Sequence, residues 1–229
     1  YSLAMVASFM LTFGDRFFLQ AYGSTTQVGL YGLAYQFGLL LPSLTTEPFM
    51  TAWRPARLRD LALPAAERDA GYNDAFFLLN ALVVTAAVGI AAFSRPLLTL
   101  VAKDAYLPAA PLVGVIMLAY ILQAWTETVE LGIDAAERTS LIATATWVAG
   151  GVVVALYALL IPRYGPWGAA AATVASFGVR FALMYRFAQR VYPIGWSFGT
   201  NARVALLGAS ALVATSVWQP ATFAAQVGY

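Results

Sequence analysis

The sequence predicts an all-α fold, a polytopic bundle of about seven transmembrane helices. Three observations lead there. Of 229 residues, 61% are hydrophobic and only 10% are charged. The mean hydropathy is +0.72. The apolar runs, such as Leu141–Ile161, are long and unbroken. A water-soluble domain carries about 25% charged residues, so most of this apolar surface calls for lipid as its solvent. In a bilayer every backbone amide must be satisfied within the protein, which leaves helices or closed barrels. Barrel strands alternate apolar and polar residues over short segments. The continuous runs here favour helices.

A spanning helix needs about 20 mostly apolar residues. The candidates are Ser2–Tyr22, Gly29–Trp53, Ala75–Phe93, Pro111–Ile133, Leu141–Ile161, Trp167–Phe187 and a shorter Val204–Trp218. Short connections carry turn residues: Gly23-Ser24, Pro162-Arg163-Tyr164-Gly165-Pro166 and Pro193-Ile194-Gly195. Arg54–Asp74 is a longer, charged connection, and Ser94–Ala110 is half apolar and expected along an interface. The chain enters an apolar run at Tyr1 without an initiator Met or a basic stretch. It does not read as a signal peptide, and a preceding segment is expected.

Basic residues orient such a bundle. Arg54, Arg57, Arg59, Arg68, Arg138, Arg186, Arg190 and Arg203 fall on alternate connections, against Arg95, Lys103 and Arg163 on the others. The first set is expected on the cytoplasmic side. Tyr22, Trp53, Tyr164 and Trp167 lie near span ends, as interfacial aromatics do.

Several chemistries are excluded. The chain has no Cys and no His. Disulfides, thiolate ligands and a Ser-His-Asp triad cannot be built from these residues, and no metal or other cofactor is expected. The net charge of +2 does not suggest a nucleic-acid partner.

Charged groups within spans are costly and so are candidates for function. The first span holds Asp15 and Arg16, with Thr12, Arg16 and Gln20 on one face. The second holds Gln36, Ser43 and Glu47 at helical spacing, interrupted by Pro42. The fourth carries a stripe: Gln123, Glu127, Glu130 and Asp134, at spacings of four, three and four. By depth, its basic partner is Arg180 in the sixth span. Gly168, Ala172 and Ser176 share the Arg180 face and allow close helix packing. Each feature has two readings: a structural ion pair or snorkelling group, or the lining of a substrate cavity.

A set of motifs then bears on the family. They are Asp15-Arg16-Phe17-Phe18-Leu19, Val28-Gly29-Leu30-Tyr31-Gly32-Leu33-Ala34-Tyr35-Gln36 and Glu47-Pro48-Phe49-Met50-Thr51-Ala52-Trp53-Arg54-Pro55. They continue with Lys103-Asp104-Ala105-Tyr106-Leu107-Pro108-Ala109-Ala110, Glu137-Arg138-Thr139 and Ile161-Pro162-Arg163-Tyr164-Gly165-Pro166-Trp167-Gly168-Ala169-Ala170. In order and spacing they resemble the C-terminal half of bacterial polysaccharide (O-antigen and exopolysaccharide) flippases. These belong to the multidrug, oligosaccharidyl-lipid and polysaccharide exporter superfamily. The resemblance covers residues 1 to about 200, which it implies form a six-helix bundle, with 201–229 an additional helix.

The resemblance implies a multi-pass protein of the bacterial inner membrane that works by alternating access and is not an enzyme. The implied substrate is an undecaprenyl-diphosphate-linked oligosaccharide, and polysaccharide polymerase and export machinery are the implied partners besides the bilayer. It implies Arg16 and Arg180, with Gln36 and Gln123, as substrate contacts. Asp15, Glu47, Glu127 and Glu130 are then implied for ion coupling or charge pairing. Three alternatives stay open: a cation-coupled multidrug antiporter of the same superfamily, a non-transporting membrane scaffold, and, with least support from spacing, a membrane enzyme.

Overall fold

The computed structural model describes residues 13–101 and 104–217. Among them every regular element is helical, and there is no strand. Helix α1 (residues 13–22) is followed by α2 (Thr25–Leu44) and α3 (Thr46–Arg59). A 3-10 turn, Asp60–Ala62, leads to α4 (Ala65–Val101), and a second, Asp104–Ala109, leads to α5 (Ala110–Val129). Then come the short α6 (Leu131–Ala135), α7 (Thr139–Val191) and α8 (Phe198–Val217).

Local chemistry explains the joints. The amide of Gly23 donates to Leu19 O at 2.9 Å and closes α1. A Cβ on Gly23 would meet that carbonyl at 2.8 Å. Ser24 then opens α2 with a reciprocal capping box: its Oγ accepts from Gln27 N at 3.3 Å, and Gln27 Oε1 accepts from Ser24 N at 3.4 Å. The expected span Gly29–Trp53 is divided. Thr45 is non-helical (φ −126°, ψ −70°), and its hydroxyl donates to Leu41 O at 2.6 Å. Pro42 has already removed a donor from that turn, so α2 ends there and α3 starts afresh.

Helix α7 is folded rather than straight. Gly165 sits at φ 54°, ψ −131°, a conformation open only to glycine, with Pro166 directly after it. In a straight helix Tyr157 and Thr173 would stand about 24 Å apart. Instead the Tyr157 hydroxyl and Thr173 Oγ1 are hydrogen-bonded at 3.0 Å. The arms 139–164 and 166–191 therefore form an antiparallel hairpin, and Ala145 packs in one apolar cluster with Met184 and Ala188. The turn expected at Pro162–Pro166 is where the reversal occurs.

The small-residue face closes this hairpin. Gly168, Ala172 and Ser176 are buried. A Cβ on Gly168 would lie 2.7 Å from Leu160 C. Gly168→Val is expected to cost about 1–3 kcal/mol through overpacking. A lowered melting temperature of the detergent-solubilised protein checks this, and an unchanged one would contradict the close approach.

Helix α5 is the hub. It packs against α2, α4, α7 and α8. Its buried residues, among them Leu112, Val113, Ile116, Met117, Ile121 and Ala124, cover nearly the whole helix surface, as befits a core helix. The outer helices show the reverse pattern. Phe93, Leu100, Leu206 and Leu207 are about 70–80% exposed, which water would penalise at about 25 cal/mol per Å2. Among the described residues three helical stretches are long and apolar enough to cross a membrane: Ala65–Leu100, Ala105–Ala135 and Thr139–Val191. The chain is a membrane protein. At 37 residues, or about 55 Å, α4 is longer than a hydrocarbon core of about 30 Å. Its polar residues Glu67, Arg68, Asp69, Asn73 and Asp74 all lie in its first turns.

Candidate functional site

Two polar centres lie within the bundle, and a polar cap closes one end of it.

The first centre is the stripe. Gln123, Glu127 and Glu130 are half-buried on α5 and at its end, and Asp134 continues the row on α6. Gln123 Nε2 donates to Glu127 Oε1 at 3.1 Å. Glu130 feels the charges of Arg180, Asp134, Glu127 and Arg57. Arg180 is half-buried, as expected near the stripe, but among the described residues it makes no ion pair within 4.0 Å. Its Nε is buried and lacks a hydrogen-bond partner. A guanidinium held beside carboxylates without being locked to them keeps donors available for an anionic group.

The second centre surrounds Asp15, whose side chain is 0% exposed. Its Oδ1 accepts from Arg16 N at 2.7 Å and lies 3.9 Å from Arg16 Nη1. That pairing is loose, and the Arg16 guanidinium instead stacks over the rings of Phe13 (5.1 Å) and Tyr35 (5.0 Å). Tyr31, Tyr35, Tyr120 and Tyr157 gather near the carboxylate, bringing together α1, α2, α5 and the first arm of α7. The Tyr31 hydroxyl neighbours Asp15, yet neither that hydroxyl nor Asp15 Oδ2 has a hydrogen bond of standard geometry. A fully buried carboxylate oxygen whose nearest donor is imperfectly placed is an expensive arrangement. Sequence spacing did not single out these tyrosines; the available signal was the four-residue step from Tyr31 to Tyr35 inside an apolar span.

Gln36 and Glu47 join neither centre. Both are exposed, on the outer surfaces of α2 and α3, as is Ser43. Gln20 is exposed too, and Thr12 lies outside the described residues.

The cap gathers the three Arg-rich connections expected on one side of the bundle. Arg57 Nη2 donates to Asp134 Oδ2 at 3.2 Å. Arg68 donates to Asp69 Oδ1 (2.7 Å from Nη2) and to the Tyr192 hydroxyl (2.6 Å). Asp69 Oδ2 accepts from Gly195 N at 2.8 Å, and Asn73 Oδ1 accepts from Ser197 N at 2.6 Å. Below them Asn80 Oδ1 accepts from Trp125 Nε1 at 2.8 Å, while Asn80 Nδ2 donates to Asn201 O at 3.0 Å, tying α4 to α5 and α8. The Tyr72 hydroxyl donates to Arg57 O at 2.5 Å.

No protein-family model, no curated protein and no solved structure matches the chain. Among the described residues no group of three or more acidic side chains is arranged to hold a metal ion.

Proposed function

We propose that the chain is the C-terminal half of a multi-pass exporter of the bacterial inner membrane. It flips a lipid-diphosphate-linked oligosaccharide from the cytoplasmic to the outer leaflet by alternating access. The observation that carries this reading is the stripe. A row of Gln123, Glu127 and Glu130 stands half-buried at membrane depth beside an Arg180 whose Nε has no partner. Intramembrane charge is tolerated where it faces a wet cavity or a charged ligand. A planar guanidinium suits the paired oxygens of a diphosphate, while carboxamides and carboxylates suit sugar hydroxyls. In this reading α1, α2 with α3, α4, α5 with α6, the two arms of α7, and α8 are the seven spans. The cap lies in the cytoplasm, where its arginines are favoured.

The residues divide the work. Arg180 holds the anionic diphosphate, and Glu130 beside it keeps the guanidinium oriented when the site is empty. Gln123 and Glu127, already hydrogen-bonded to each other, exchange that bond for sugar hydroxyls. The test is expression of the full-length protein in a bacterium lacking its own oligosaccharide flippase. Restored surface polysaccharide supports the reading. No restoration with any of several matched lipid-linked oligosaccharides contradicts it.

Asp15 favours a second reading, a cation-coupled antiporter of the same superfamily. Its unpartnered oxygen in a fully buried cage of tyrosines suits a group that takes up and releases a proton or small cation. Drug resistance without polysaccharide export would select this reading.

A further inference from the structure

Helix α3 is held in an unusual way. Its buried residues are Thr46, Met50 and Arg57. The first two lie at its start, next to the Thr45 break. The far end, where Leu58 is 55% exposed, is anchored by a charged side chain instead of an apolar one. Arg57 is the one buried side chain at that end, beside a half-buried Trp53. Its guanidinium is 9% exposed and pairs with Asp134, the last member of the stripe. Its Nε has no partner, and Trp53 lies under it at 5.8 Å. Its main-chain carbonyl accepts from Tyr72 of α4, and Trp53 packs edge-on to the same ring at 5.9 Å.

Two features make this arrangement separable. An apolar anchor loses burial energy when it parts, whereas an ion pair exchanges its partner for water, so its two states lie closer in energy. At the other end, Pro42 and the non-helical Thr45 break the backbone between α2 and α3. A rigid helix with a break at one end and an exchangeable pair at the other can move as a lever.

We propose that the Arg57–Asp134 pair is a latch. In the present state it holds α3 across the cytoplasmic end of the Gln123–Asp134 stripe. When the pair separates, α3 turns at Thr45 and opens the stripe to the cytoplasm. The purpose of the latch rests on the transport reading, but its opening can be measured without transport.

The test uses the full-length protein carrying a single cysteine at Gln123, probed in inside-out vesicles with a membrane-impermeant maleimide. Arg57→Ala and Asp134→Ala are each expected to speed labelling about tenfold, the coupling of a directly contacting pair. The exchange Arg57→Asp with Asp134→Arg rebuilds the pair and is expected to return labelling to the slow rate. Equal rates in all forms overturn the latch, and so does fast labelling that the exchange does not reverse. If the exchange does restore slow labelling while the full-length protein with Gln123, Arg57 and Asp134 all intact exports no polysaccharide, the latch stands and the transport reading falls.

Discussion

Arg180→Ala, made in the full-length protein, is expected to remove polysaccharide export while leaving the protein inserted at normal abundance. The structural alternative, a buried ion pair, makes the opposite prediction. Removing one partner of such a pair costs about 3–5 kcal/mol because the other charge is stranded, and less protein would accumulate in the membrane. The geometry favours the first outcome. Arg180 has no ion pair within 4.0 Å among the described residues and leaves its Nε unused. Its acidic neighbour Glu130 feels Arg180 most strongly among the nearby cations and Arg57 more weakly. A hydrogen bond to a charged group is worth about 1.5–3 kcal/mol, so losing one substrate contact lowers export by about 10- to 150-fold. Arg180→Lys separates charge from shape. It keeps the cation and loses the planar fork, and is expected to recover only part of the activity. Surface polysaccharide, scored at matched membrane abundance, reads both variants. Normal export by the Ala variant would leave Arg180 without a part in the mechanism.

The residues differ in how openly the sequence announced them. The stripe was legible because helical spacing alone puts Gln123, Glu127, Glu130 and Asp134 on one face, whatever packs against it. The hairpin was legible because Gly165-Pro166 cannot continue a helix. The end of α2 was not: Pro42 signals a kink, but the break falls at Thr45, where a hydroxyl takes the Leu41 carbonyl, and that choice is local geometry. Arg57 read as one more cytoplasmic arginine. Its burial depends on Asp134, 77 residues away, and on the Tyr72 ring, which no single-sequence period reveals. The tyrosine cage is the extreme case. Aromatic residues in an apolar span carry no mark of what they surround, and four separate segments had to converge before Asp15 was enclosed.

That enclosure leads to a prediction in which stability and activity move in opposite directions. Asp15→Asn is expected to stabilise the protein. The carboxylate is fully buried with Oδ2 unpaired, and Arg16 approaches only to 3.9 Å, too far to hydrogen-bond. A neutral amide of the same shape avoids burying the charge, and its NH2 supplies a donor that the neighbouring Tyr31 hydroxyl can accept. Satisfying one such group is worth about 1–3 kcal/mol, which appears as a higher melting temperature in detergent. If the charge serves proton or cation uptake, the same Asn variant abolishes gradient-driven export, because an amide neither titrates nor carries charge. Asp15→Glu, with its charge kept and its reach altered, retains part of the activity. The decisive pattern is a more stable but inactive Asn variant. A destabilised one would mean that the carboxylate holds α1 in place, and a stable and fully active one would remove Asp15 from the coupling path.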